Sequence, residues 1–427
     1  MINNLIRAQP PVYPVEKVVI PDAVLFTLNN GVPVYMIEAG TEDIIRLEFV
    51  FRAGQVKENL PLLSSTCNMM LSEGSENYTS EELNRLLDYY GVFLNQSAEK
   101  DRAGIVLYFL NKHIEKVLEL SREILFRPVF PEPELNSLMK KRLRWYLVNR
   151  EKVQNLAMDQ FFESLFGKDH PYGYQIAEND FENITSPVLS GFHSRYYTPG
   201  NMAVIISGKI PVGTTQALNL FFGNPGSGDI ISPEPSVSPQ GELLKKIHLA
   251  KPETVQTAIR IGSSTINKRH PDYPGLKILD SILGGYFGSR LMKNIREDKG
   301  YTYGISSSLS SLDLTGYKVI STEVGQKNSQ KAIDEIYREI RLLQQIPVGK
   351  EEMTVVRNYM SGGMLRMFDG PFALAESFRS AWEFDLDNRY YYRLAEKIKS
   401  IDQDEITELA RTYYNIDDLY EVTVGSE

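Results

Sequence analysis

Apolar positions recur along this chain at two periods, and the switches between them mark out its elements. Phe26-Thr27-Leu28, the turn Asn29-Asn30-Gly31 and the run Val32 to Ile37 predict a β-hairpin, with Gly31 free to take the positive φ of a tight turn. Ile45, Leu47, Phe49 and Phe51 repeat at period two, which predicts a half-buried strand ending at Gly54. A helix is expected from about Leu62 to Leu71. Thr79 stands three residues before Glu82 as a capping box, and Leu83, Leu86, Leu87 and Tyr90 keep helical spacing until Gly91. Strands near Val92 to Gln96 and Ile105 to Leu110 follow, then helices from about Ile114 to Leu125 and from about Glu134 to Asn149.

Much of this order returns in the second half. A strand over Tyr317 to Thr322 precedes a helix carrying Ala332, Ile333, Ile336, Ile340 and Leu343, and another helix opens at Glu351. Arg122-Glu123-Ile124 reappears as Arg338-Glu339-Ile340, 216 positions further on. A repeat at half the chain length predicts an α+β fold of two similar modules, each a mixed or antiparallel sheet with helices on one face. Between them, Gly223-Asn224-Pro225-Gly226-Ser227-Gly228 and then Pro233, Pro235, Pro239 and Gly241 deny the chain a helix or a central strand. We therefore expect an N-terminal domain over 1–223, a linker over 224–242 and a C-terminal domain over 243–427.

Composition supports that picture and narrows the function. A chain of 427 residues with 42% hydrophobic and 24% charged positions has apolar surface enough for two globular cores. The net charge of -9, with no long Lys/Arg block, makes nucleic acid an unexpected partner. No stretch reaches the ~20 apolar residues of a membrane span, and the start lacks the apolar core of a secretory signal, so neither a membrane role nor export is expected and a cytoplasmic location is. The single Cys67 can form no internal disulfide and no thiolate cage. Its surroundings, Leu63, Met70 and Leu71, favour a buried structural thiol over a nucleophile, since no His lies nearby in sequence. The five histidines are so spaced that no helix turn carries two imidazoles, and His170 and His193 read as hydrogen-bonded structural residues.

Chemistry concentrates around Gly284-Gly285. Phe287, Leu291 and Ile295 are expected on one helical face running to a Gly300 stop, and Tyr301, Tyr303 and Ile305 then alternate as a strand. This places Arg296 in the last helical turn and Tyr303 at the start of the next element. A guanidinium and a phenol held across such a turn can both donate to a carbonyl oxygen that gains charge in a tetrahedral intermediate. The alternative is an Arg favoured by the helix dipole beside an ordinary strand Tyr.

The run Gly284-Gly285-Tyr286-Phe287-Gly288-Ser289-Arg290-Leu291 through Ile295-Arg296-Glu297-Asp298-Lys299-Gly300-Tyr301-Thr302-Tyr303 resembles the second-domain signature of the pitrilysin/insulinase (M16) family of zinc metallopeptidases. His170-Pro171-Tyr172-Gly173 and Phe192-His193-Ser194-Arg195-Tyr196-Tyr197-Thr198-Pro199-Gly200-Asn201-Met202 add to the resemblance, which covers about residues 22 to 425. It implies a clamshell peptidase of repeated α/β modules, with a zinc helix on one module and an Arg/Tyr pair, here Arg296 and Tyr303, from the facing half.

The resemblance also implies an inverted H-x-x-E-H motif, and this chain departs from it at every chemical position. Counting back from Gly74, Ser65, Asn68 and Met69 stand where the two imidazoles and the base carboxylate belong. Near the expected place of the third, Glu ligand the chain reads Arg144-Trp145-Tyr146, and none of these replaces a carboxylate on zinc. The expectation is a non-catalytic subunit of a heterodimeric zinc endopeptidase. It would hold no cofactor itself, pair with a homologous H-x-x-E-H subunit that binds the zinc, and lend Arg296 and Tyr303 to the scissile carbonyl of peptide substrates. Gly284 and Gly285 would allow close backbone approach to the peptide. The alternative is a structural or peptide-holding member with no part in hydrolysis, like the core subunits of respiratory complexes.

Overall fold

The computed structural model of the chain describes residues 19–224 and 240–426. Five elements of the first half open the fold: β1 (Val24–Thr27), β2 (Pro33–Glu38), β3 (Ile44–Phe51), α1 (Leu63–Met70) and α2 (Ser80–Tyr89). The hairpin β4 (Phe93–Ala98) and β5 (Ala103–Leu110) leads to α3 (Ile114–Phe126), α4 (Glu132–Asn149), α5 (Val153–Phe166), α6 (Ser186–Tyr196), β6 (Met202–Gly208) and α7 (Thr214–Phe222). The second half contains β7 (Lys246–Ala250), β8 (Gln256–Thr265), α8 (Tyr273–Asp280), β9 (Thr302–Ser311) and β10 (Gly316–Gly325). It closes with α9 (Ser329–Gln345), α10 (Lys350–Met367), α11 (Pro371–Trp382), α12 (Arg389–Ser400), α13 (Gln403–Tyr413) and β11 (Tyr420–Gly425). The expected capping box is formed: Thr79 accepts from the Glu82 amide while the Glu82 carboxylate accepts from that of Thr79.

The internal repeat is visible in the strand order. The first sheet runs β1-β2-β6-β3-β5-β4 and the second β7-β11-β8-β10-β9, so β2, β6, β3, β5 and β4 correspond to β7, β11, β8, β10 and β9. In each, one parallel pairing, β2 with β6 or β7 with β11, sits in an otherwise antiparallel sheet. The mixed α+β fold of two like modules is thus the one expected. The linker expected at 224–242 lies, except at its ends, outside the described residues.

Each sheet also receives a helix from the opposite half. α5 leaves the first module to pack on β8 and β11, burying Phe161, Leu165 and Phe166 against Ala258, Val422 and Val424. Its counterpart α11 crosses the other way and lies on β2 and β6. This exchange corrects the expectation for β3. Ile45, Leu47, Phe49 and Phe51 face the first module's core, but Arg46, Glu48 and Val50 on the opposite face are buried too. The strand is covered on both sides because α11 lies over its second face.

Charge chemistry fixes this contact. Arg379 of α11 donates to Glu48 at 2.8 Å and to Glu383 at 2.9 Å, and Glu48 also meets Arg46 at 2.7 Å. Arg102, in the β4–β5 turn, forks onto Asp313 in the β9–β10 turn and reaches the Glu383 carbonyl at 3.3 Å. The Asp313 amide donates to Asp101 at 3.0 Å, so the corresponding hairpins of the two modules meet tip to tip. Buried ions without partners cost several kcal/mol, so a set that is mutually paired specifies one docking of the two halves.

Candidate functional site

The helix α1 carries Ser65, Asn68 and Met69, the positions that the resemblance sets against the zinc motif. A Glu58 carboxyl oxygen accepts from the Ser64 amide at 2.7 Å, satisfying one of the unpaired donors of the helix start. Ser65 is half-buried, Asn68 is buried and Met69 is 43% exposed. Asn68 donates to the Gly104 carbonyl and to the Tyr197 hydroxyl, both at 3.1 Å. In the second module Asp280 occupies the corresponding place, accepting from Ser307 and from the Tyr414 hydroxyl. Asn68 is therefore a tie between its helix and the sheet, not a base aimed at solvent. Cys67 beside it is fully buried, and burial pushes its thiol far above the ordinary range.

A group missed by the sequence reading stands at this site. Arg142 of α4 donates from one terminal nitrogen to the Ser65 hydroxyl at 2.8 Å and from the other to the Thr66 hydroxyl. Trp145 is 68% exposed, and the Tyr146 hydroxyl donates to the Ile176 carbonyl at 2.6 Å. The only sequence signal was indirect: Arg142 lies one helical turn before Tyr146, on the same face. A hydroxyl, an amide, a thioether and a guanidinium do not fit zinc, which takes thiolate, imidazole or carboxylate. No group of three or more His, Cys, Asp or Glu side chains suited to a metal ion exists among the described residues.

The second constellation is formed by α8, β9 and the segment between them. The helix does not continue regularly from α8: Ser281–Gly285 and Met292–Asp298 are both π-helical. Such local widening is commonly found at functional sites. Between the two segments Phe287 lies in a non-helical turn, which breaks the expected face: Leu291 and Ile295 are buried while Phe287 is 62% exposed. Arg296 places its guanidinium over the Phe287 ring, 4.8 Å from the centroid. Gly300 ends the helix at φ +63°, a backbone state that costs glycine little.

Tyr303 also departs from simple alternation. It is 90% exposed, whereas Ile305, two residues on, is buried. The cause is a register irregularity between β9 and β10, where Thr322 pairs with Ile305 and Val324 with Thr302. Three steps on one strand oppose two on the other, and this bulge turns Tyr303 outward. Arg296 and Tyr303 thus flank one helix-to-strand turn at the free edge of the second sheet, with no hydrogen bond or ion pair to each other or to another group among the described residues.

Gly284 and Gly285 separate in role. A Cβ on Gly284 would lie 2.5 Å from the Ser307 amide nitrogen, so this buried glycine lets the π-helical turn lie against β9. The close approach expected toward a peptide is, at Gly284, an approach to the neighbouring strand. Gly285 is exposed. His193 is hydrogen-bonded through Nε2 to the Leu125 carbonyl oxygen at 2.8 Å and stacks on Tyr197; burial lowers its pKa. His170 Nδ1 accepts from the Tyr172 amide at 3.0 Å.

No described helix is long and apolar enough to cross a membrane. Comparison with known proteins shows what the chain is similar to. Residues 183–360 match the family profile described as "Peptidase M16 inactive domain". A Bacillus subtilis relative, the uncharacterized zinc protease YmxG, is 22% identical over 348 residues, 80% of this chain and 83% of the relative. The "non-peptidase homolog YmxG" of Helicobacter pylori is 23% identical over 55% of each chain. Among solved structures, the peptidase M16 inactive domain from Pseudomonas fluorescens superposes with a TM-score of 0.82 at 21% identity, covering 95% of this chain and 98% of that one. A protease from Helicobacter pylori gives 0.82 at 16% identity, over 95% and 100%. The motifs, the two-module fold and these likenesses agree: the chain is similar to inactive members of the M16 peptidase family, by profile over residues 183–360 and by fold over most of its length.

Proposed function

We propose that this chain is the non-catalytic subunit of a two-chain zinc endopeptidase, supplying Arg296 and Tyr303 to peptides held at the metal of a homologous H-x-x-E-H partner. The observation that carries this reading is the asymmetry between the two sites. The positions of the zinc motif hold Ser65, Asn68 and Met69, with a guanidinium alongside. The Arg/Tyr pair is present, Tyr303 turned outward by a bulge and Arg296 lying over Phe287, and neither has a hydrogen-bond partner among the described residues. Donors of this kind, placed where an oxyanion forms, are each worth about 10²–10³ in kcat.

Mixing the purified chain with an H-x-x-E-H homologue from the same source tests the proposal. The two should co-elute and cleave extended peptides that neither cleaves alone. A stable chain that neither binds the homologue nor changes its turnover refutes the subunit reading. That outcome would favour the alternative, peptide holding or assembly without hydrolysis, which the "non-peptidase homolog" designation of the Helicobacter relative supports.

A further inference from the structure

Arg142 is a half-buried cation with hydroxyls for neighbours and no carboxylate within 4 Å among the described residues. Ser65 and Thr66 both donate their hydroxyl protons to the Leu62 carbonyl, at 3.1 and 2.7 Å, so each is left to accept from the guanidinium. That arrangement fixes the plane of the fork and commits two of its five N–H donors. The remaining three have no partner among the described residues. Burial lowers the pKa of Arg142, as it does for a cation short of compensating charge, and Glu58, the acid that opposes this shift, is itself pushed up to about 8 by burial.

From this geometry we infer that the degenerate zinc site is an anion receptor, in which Arg142 binds the C-terminal carboxylate of a peptide. A planar guanidinium meets a carboxylate through two parallel hydrogen bonds, a match that a point charge does not reproduce. Two exposed apolar side chains stand one helical turn from the residues of the fork: Met69, four residues after Ser65 on α1, and Trp145, three after Arg142 on α4. The pairing of a carboxylate fork with apolar neighbours selects a peptide whose last residue is apolar and whose terminus is free. The inference deepens the peptide-binding reading above, because it names an end of the peptide that this chain holds by itself.

Equilibrium binding to the isolated chain, by fluorescence anisotropy, tests it with three octapeptides: one ending in Leu as the free acid, the same sequence as the C-terminal amide, and an amide with Glu in the last position. The free acid should bind at least about tenfold tighter than the Leu amide, the range of a charge-assisted fork. R142M should abolish the difference, and R142K, which keeps charge but not the fork, should retain only part of it. Circular dichroism and melting of both variants establish that they fold; R142K alone still decides the matter if R142M does not. Equal binding of acid and amide to the wild-type chain overturns the inference, as does a preference that survives R142M. Equal binding of the Glu amide and the free acid overturns the assignment to the peptide terminus. The subunit proposal is judged separately, by turnover in the mixture.

Discussion

Removing Arg379 should weaken the docking of the two modules. The guanidinium reaches from α11 to Glu48 on β3 and to Glu383, at 2.8 and 2.9 Å, with Glu99 at 3.5 Å. Its side chain and that of Glu48 are both largely out of solvent. R379M keeps much of the apolar stem and deletes the charge. Breaking a buried pair by removing one partner costs about 3–5 kcal/mol. The lower end applies, because Glu48 retains Arg46 at 2.7 Å and Glu383 can take up a proton. A loss of about 3 kcal/mol corresponds to roughly 6–12 °C in Tm for a unit of about 200 residues. The sign with pH follows from Glu383, whose carboxyl burial already raises and Arg379 restrains. Without Arg379 its pKa climbs further, so the penalty of ionising it in the fold is larger at pH 8 than at pH 5. Urea denaturation of wild type and R379M at both pH values, with E48Q and the double variant completing a cycle, measures the coupling. A loss below about 1 kcal/mol, equal at both pH values, would refute the claim that this network fixes the two halves.

Three further outcomes follow from the same geometry. The triple variant S65H/N68E/M69H, which supplies the side chains of the motif, should still bind no zinc tightly in competition dialysis, because the Arg142 guanidinium, which reaches residues 65 and 66, repels a dication there; submicromolar zinc binding with Arg142 in place would contradict this. G284A, whose methyl would meet the Ser307 amide nitrogen at 2.5 Å, should lose about 1–3 kcal/mol in chemical denaturation, whereas G285A, with nothing nearer than 3.3 Å, should lose less than half as much. Glu58, raised to about 8 in the fold against 4.5, holds its proton where the unfolded chain releases it, so its contribution to stability falls as pH rises from about 4.5 to 8; E58Q should flatten that part of the stability–pH curve, by at most about 5 kcal/mol, and an unchanged slope would show that the carboxyl is not held neutral.

Local signals in this sequence were legible because local physics decides them. The Thr79/Glu82 box, the Gly300 stop and the period of α9 depend on neighbours within a turn, and each forms as expected. The half-chain repeat was readable too, since like modules need like patterns. What was hidden depends on partners distant in sequence. Arg46 and Glu48 look like the wet face of a strand, and only α11, more than 300 residues away, makes them interior. Phe287 has helical spacing with Leu291 and Ile295, but it lies in a turn between two π-helical segments, under Arg296. Tyr303 alternates with Ile305 on paper, and a bulge set by pairing with β10 separates them. Arg142 has no sequence mark of its own, because its partners Ser65 and Thr66 lie more than 70 residues away.

The proposed role rests on two donors acting at a metal this chain does not hold, and kcat of the assembled pair tests that most directly. With co-elution intact, R296A and Y303F should each lower kcat of the mixture by about 10²–10³ while KM changes little. Unchanged kcat in a fully assembled mixture of either variant would contradict the account.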